Sequence, residues 1–198
     1  MIPEASLTNE QKARHNELYV RASELLNGLL ILDDQPRMTP DFFERRKLRK
    51  AVKLFQQVLR LNPANWQAMF FAAKAAQSLG NFKKSLAWFL RAQTLVPDHP
   101  AVAKEVGYAA SRLGKHDLAV NLMESVAKQH PRDAALHCNL GLSCLLAGNV
   151  SHACKTFEWI VELEPQSDLN KKLLAFAKEV EAGTRPCPET EEEISSAI

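Results

Sequence analysis

The sequence predicts an all-α protein: a solenoid of antiparallel helix pairs, about nine helices with a C-terminal capping helix. Three observations at a single period carry this reading. Pro63, Pro97, Pro131 and Pro165 recur every 34 residues. Twelve positions before each proline stands a small residue, Ala51, Ser85, Ala119 or Ala153, and eight before stands Phe55, Phe89, Met123 or Phe157. Seventeen before the last three prolines stand Gly80, Gly114 and Gly148. Each glycine closes one apolar-periodic run, as a helix C-terminal cap does, and each proline closes a second. The small residues let two helices approach closely, and the Phe or Met four positions later fills the space beside that contact. One hairpin cannot bury its apolar face alone, so neighbours must stack.

The elements follow in order. Residues 1–9 form an N-terminal arm. Leu18, Ala22, Leu25, Leu29 and Leu32 keep helical spacing and predict a first helix from about 10 to 32, broken by Asp33-Asp34-Gln35-Pro36. Thr39-Pro40-Asp41 reads as a cap and a first-turn proline opening a helix from about 40 to 61. Residues 10–65 are thus an atypical first hairpin with an insertion at 33–41. Full repeats span 66–99, 100–133 and 134–167. Ser167 or Asp168 then starts a capping helix over 168–183, whose Leu169, Leu173, Phe176, Ala177 and Val180 cover the last repeat. Residues 184–198 hold two prolines and four glutamates with little apolar content, and are expected to be a disordered acidic tail.

Composition bounds the function. The chain has 198 residues, 46% hydrophobic and 24% charged, with net charge +2. A core of that size requires no disulfide or metal. Four cysteines at irregular spacing suit a reducing cytosol, and the N-terminus lacks the basic flank and apolar run of a signal peptide. The longest apolar run, Leu25 to Leu32, is about half a membrane span. A cytoplasmic protein with no membrane association is expected. No phosphate loop, His-Glu-x-x-His, dinucleotide glycine pattern or Gly-x-Ser-x-Gly elbow occurs, so neither an enzyme nor a cofactor is expected. His137, Cys138, Cys144, His152 and Cys154 gather in the last repeat. They lack Cys-x-x-Cys spacing, and Cys144 and Cys154 fall at core positions, so they read as small hydrophobes and no metal is expected. Cys187 reads as a free thiol.

At the level of whole repeats the sequence resembles the tetratricopeptide repeat family over about residues 42–167. The family's Leu-Gly pair stands as Val106-Gly107 and Leu140-Gly141, and as Ala72-Ala73 in the repeat beginning at Trp66. The family's Trp is replaced by Met69, Ala103 and His137, and its Tyr by Ala76, Ala110 and Cys144. The resemblance implies a right-handed superhelix that binds a protein or peptide in a concave groove lined by the first helix of each repeat. Carried over position by position, that groove holds Gln67, Phe70, Lys74, Gln77 and Ser78. It continues with Ala101, Lys104, Tyr108, Ser111 and Arg112, and then Ala135, Cys138, Leu142, Leu145 and Leu146. Phe70, Tyr108 and Leu142 would be apolar anchors; Lys74, Lys104 and Arg112 would set register. The family's carboxylate clamp does not carry over, since its positions hold Phe70, Lys74, Glu105, Ala135 and Asn139. Exposed Leu142, Leu145 and Leu146 would need a partner or cover by the capping helix.

Charge is uneven. Residues 36–60 carry eight cations against two carboxylates, with Arg45, Arg46, Lys47, Arg49 and Lys50 forming a basic patch. Residues 179–198 carry six glutamates against Arg185. The patch reads as a solvated helix face or a dock for an acidic partner, the tail itself being one candidate. Without an aromatic ladder, nucleic acid is not the expected partner. The predicted function is a non-catalytic adaptor or scaffold binding a peptide segment of a partner protein. The alternatives are a client-dedicated chaperone, since small bacterial type III secretion chaperones are also similar, and a self-assembling module such as a homodimer.

Overall fold

The computed structural model describes residues 7–30 and 39–198. Among the described residues the chain forms ten helices and no strand. They are α1 (Asn9–Glu24), α2 (Phe42–Leu61), α3 (Trp66–Ser78), α4 (Phe82–Leu95) and α5 (Pro100–Ser111). After them come α6 (His116–Ala127), α7 (Ala134–Leu146), α8 (Val150–Leu163), α9 (Asp168–Glu181) and α10 (Glu191–Ala197). Short polar side chains start most of them by accepting otherwise orphaned backbone N–H groups. Asp41 and Glu44 cap α2 reciprocally, both bonds being 2.8 Å. Asn65, Asp133 and Ser167 accept from the backbone of Ala68, Leu136 and Asn170. Gly80, Gly114 and Gly148 end the first helices at φ of 77°, 68° and 75°. A Cβ there would meet nothing within 4 Å, so the demand for glycine is conformational and not steric.

The chain divides into two compact units, Met1–Pro97 and Asp98–Ile198. In the first, α1 to α4 pack in sequence order. Phe55 and Phe89 are fully buried at its centre. Tyr19 meets Phe55 edge-on with ring centroids 5.6 Å apart, Phe71 stacks on Phe55 at 6.0 Å, and Phe70 meets the edge of Phe89 at 5.4 Å. Edge and offset-stacked pairs of this kind add to the area they bury. Burial raises the Tyr19 pKa above that of an ordinary phenol.

In the second unit, α5 to α9 pack in order, and α5 also packs on α7. Met123 and Phe157 are fully buried on α6 and α8. Each sits against a glycine of the preceding helix. A Cβ on Gly107 would lie 2.7 Å from Met123 Sδ, and one on Gly141 would lie 2.6 Å from Phe157 Cε1. At Gly141 the neighbour is a rigid ring, and at Gly107 it is the far end of a flexible Met side chain. Leu173, Phe176, Ala177 and Val180 of α9 are buried and close the stack.

Four sequence expectations change. The first helix ends at Glu24 and not near 32: tighter turns follow, Leu26 bonding back to Ser23 and Asn27 to Glu24, and Gly28 at φ 71° cannot continue a right-handed helix. The α2 cap is Asp41, so Thr39-Pro40 precede the helix and do not open it. Leu169 is 53% exposed and is not one of the buried residues that close the stack. Residues 184–198 are not a disordered tail: they contain α10, with Ile194 only 1% exposed. Most of the N-terminal arm and of the 33–41 insertion lies outside the described residues.

The two glycine seats should respond differently to a methyl group. Gly107→Ala gains helix propensity of about 1 kcal/mol, and flexible Met123 can swing aside, so its stability should stay within about 1 kcal/mol of the parent. Gly141→Ala drives a rigid, enclosed ring out of place and should lose about 1–3 kcal/mol. Urea unfolding of both variants checks this; equal midpoints would show that Phe157 is not wedged as described.

Candidate functional site

Lys104, Tyr108, Ser111 and Arg112 share one face of α5, because positions four and three apart stack along a helix. Cys138, Leu142 and Leu145 do the same on α7. The two helices lie side by side, so these residues make one face within the second unit. Lys104, Tyr108, Ser111, Cys138 and Leu142 are half-buried there. Leu145 is fully buried and Leu146 nearly so; they are core residues and not open anchors.

The end of that face at Arg112 and Leu145 is met by the chain's own C-terminal segment. Gly183 ends α9 in a left-handed turn (φ 72°), and the Thr184 and Arg185 amides donate back to the Glu179 carbonyl. Arg185 pairs with Glu179 at 2.7 Å and lays its guanidinium over the Phe176 ring, 4.7 Å from the centroid. The Cys187 thiol donates to the Leu145 carbonyl at 3.3 Å, and Pro188 is buried. Thr190 caps α10 by accepting from the Glu193 amide. Arg112 Nη1 reaches Glu192 Oε1 at 2.9 Å, Ile194 is buried, and Lys172 Nζ donates to the Ile198 carbonyl at 2.6 Å.

The contacts are unequal in strength. The Arg112 and Glu192 side chains remain 34% and 65% exposed, so solvent holds their ion pair to below about 1 kcal/mol. Burying Ile194 contributes about 1.5–3 kcal/mol. The isoleucine holds the segment and the arginine orients it. Charge balance offers the basic patch as one candidate dock for the acidic segment; within the second unit Glu192 pairs with Arg112. Between the segment and the helix ends lies a half-open pocket of about 250 Å³ lined by Ser111, Arg112, His116, Leu146 and Glu189 to Glu192. The Ser111 hydroxyl and His116 Nδ1 lie closed off from solvent and from this pocket, and hydrogen-bond to nothing in the protein.

The other predicted residues lie in the first unit. Phe70 of α3 is half-buried, but its ring packs on Phe89 and Phe71, so it serves the core as much as any surface. Lys74 and Gln77 are half-buried beside it. In the basic patch, Arg45 donates to the Pro40 carbonyl at 3.1 Å, while Arg46, Lys47, Arg49 and Lys50 are exposed. The opposite side of α2 buries Leu48, Ala51, Val52, Phe55 and Val58. Phe42 and Phe43, 72% and 70% exposed at the start of α2, are surface features that sequence reasoning missed; two adjacent aromatics ahead of a basic run were the available signal.

Among the described residues no three His, Cys, Asp or Glu side chains are placed to hold a metal ion. His152 Nδ1 lies 3.2 Å from Glu124 Oε1. Burial pushes the Cys144 thiol up to about 12, with help from the Glu124 charge, and the Cys138 and Cys154 thiols up to about 11. Burial also lowers the His137 pKa. Thiols this hard to ionise are poor nucleophiles and poor metal ligands.

Native protein treated with a thiol reagent at pH 8 should therefore react at exposed Cys187, with Cys144 labelled only after unfolding. The stability contribution has a definite sign. The folded state keeps Cys144 protonated while an unfolded chain ionises near pH 8.5, so stability is intact below that pH and falls as pH rises toward 12. Removing the thiol in Cys144→Ala should make the alkaline slope shallower. An unchanged slope by urea titration at pH 7 to 10 would contradict this.

The arrangement is that of repeated helical hairpins, and comparison with other proteins agrees. A family model described as tetratricopeptide repeat matches residues 40–100 and 107–167. The small glutamine-rich tetratricopeptide repeat-containing protein 2 of Mycosarcoma maydis is 26% identical over 104 residues, which is 52% of this chain. The match spans only 30% of that relative's length. A MamA fragment from Desulfovibrio magneticus RS-1 superposes with TM-score 0.69 at 16% identity, covering 97% of both chains. Another MamA crystal structure gives 0.72 at 12% identity, covering 94% of this chain and 88% of that one. YrrB, described as a TPR protein with an unusual peptide-binding site, gives 0.66 at 15% identity over 96% and 91%. At such identities the solved structures speak for the fold alone. The family match extends over more than half of the chain, and the protein belongs to the tetratricopeptide repeat family.

Proposed function

We propose that the chain is a non-catalytic adaptor that holds a peptide segment of a partner protein against the α5–α7 face. Tetratricopeptide repeats are protein–protein interaction modules, which sets the class of function. The observation that supports the finer reading is that the Arg112 and Leu145 end of this face already meets a peptide-like segment, residues 185–198, from outside the repeats. The description of YrrB as having a peptide-binding site supports the same use of the fold. Tyr108 and Leu142 would supply apolar contact, and Lys104 and Arg112 would set register and favour acidic side chains. Lys74, Gln77 and Phe70 would form the corresponding face of the first unit, with Ser111 and Cys138 lining the second. The exposed cations Arg46, Lys47, Arg49 and Lys50, with Arg45, would offer a separate electrostatic contact for an acidic partner. No helix among the described residues is long and apolar enough to cross a membrane. A cytoplasmic site of action is part of this proposal. A chaperone dedicated to one client would use the same face.

Affinity capture from the native cell extract, read by mass spectrometry, tests the reading. Wild type is compared with a Tyr108→Ala/Leu142→Glu variant shown by circular dichroism to keep its helices. A protein enriched by wild type and reduced at least tenfold by the variant is expected. Equal capture by both would overturn the assignment of the face, and capture of further copies of the chain alone would replace the adaptor by a self-assembling module.

A further inference from the structure

We propose that residues 185–198 are a displaceable strap, an occupant in cis that yields the Arg112 and Leu145 end of the α5–α7 face to a partner segment of the same pattern. That pattern is a short acidic run with an aliphatic anchor two positions after the residue that meets Arg112. The inference rests on the reading of this face as a peptide site and specifies what the site takes and what guards it.

Three observations carry it. The repeats are complete without the strap, since α9 already closes the stack through Leu173, Phe176, Ala177 and Val180. Beyond Arg185, the strap's attachments include Cys187 on the Leu145 carbonyl, buried Pro188, Glu192 on Arg112, buried Ile194 and the Ile198 carbonyl on Lys172, and the Arg112–Glu192 pair among them is open to solvent. The fit is also incomplete: a half-open pocket of about 250 Å³ remains between the strap and Ser111, Arg112, His116 and Leu146. A segment with bulkier side chains at the positions of Glu189 to Glu192 gains contacts there that the strap does not make. Charge selects the class of segment: residues 179–198 carry six glutamates against one arginine, and they meet a face that presents Arg112 and Lys104.

A strap that closes this end of the face lowers the apparent affinity of any competitor by the fraction of molecules that are open. The test uses the full chain and a fluorescein-labelled synthetic peptide of residues 184–198, with binding read by anisotropy. Ile194→Asp removes the anchor in cis and should bind the labelled peptide at least tenfold more tightly than wild type does. Adding Arg112→Glu should abolish that gain, and 0.5 M salt should weaken it. Equal affinity of wild type and Ile194→Asp, or a gain that survives Arg112→Glu, would overturn the proposal. Because a substitution can disturb folding, hydrogen exchange on the wild type gives a second reading. Excess peptide should strip protection from the amides of 187–197 while those of α9 keep theirs; protection retained up to millimolar peptide would equally overturn it. The two readings fail separately. Loss of partner capture by the Tyr108→Ala/Leu142→Glu variant without any trans peptide binding sinks the strap alone. Trans peptide binding with partner capture unaffected sinks the adaptor alone.

Discussion

The fold depends on one recurring contact, a large side chain on the second helix of a repeat seated against a residue with little or no side chain on the first. Phe157 lies on Gly141 and Met123 on Gly107, so close that a methyl group would have to push the rigid ring or the flexible Met end aside. In the first unit the matching Phe89 is fully buried and Ala73 stands at the place of the glycine. The contact sets how near two antiparallel helices come, and hence how the next hairpin docks. It is steric, so it tolerates Met for Phe but demands smallness opposite. The left-handed glycines do a different job: they reverse the chain so that the seat and its occupant meet.

With the large side chains drawn to one side of each first helix, the other side is free for other uses. On α5 this puts Val102, Ala103, Val106 and Gly107 in the core and turns Lys104, Tyr108, Ser111 and Arg112 outward. The distinction is not absolute. Phe70 occupies a surface position by its register, yet its ring reaches Phe89, so a residue assigned to recognition also steadies the seat. Leu145 shows the reverse, a groove position absorbed wholly into the core.

How far the sequence discloses this protein follows from the range of the interactions involved. The hairpins were legible because their determinants are local and repeat: Gly80, Gly114 and Gly148 at the turns, Pro97, Pro131 and Pro165 at the ends, and Phe89, Met123 and Phe157 between. The end of α1 was not, because leucines at helical spacing run on past Gly28 and nothing periodic marks the stop. The start of α2 was misplaced by one cap, since Pro40 looks like a first-turn residue until Asp41 and Glu44 are seen bonded to each other. The C-terminal segment was the hardest. Its composition is that of a solvated tail, and its order rests on Ile194, Pro188 and the Arg112–Glu192 pair, whose partners lie 80 residues apart. Composition averages over such single anchors, and a lone aliphatic residue among glutamates carries no pattern.

The covalent link between α9 and the C-terminal segment has a consequence for selectivity in a crowded cell. A short tether keeps its cargo at an effective concentration on the order of millimolar, however scarce or abundant the protein is. Acidic stretches are common on other proteins, and many would meet Arg112 and its neighbours with weak affinity. With the face used as proposed, each would contend with a segment that never diffuses away, so brief, purely electrostatic encounters would be filtered out and the background of non-specific association would stay low.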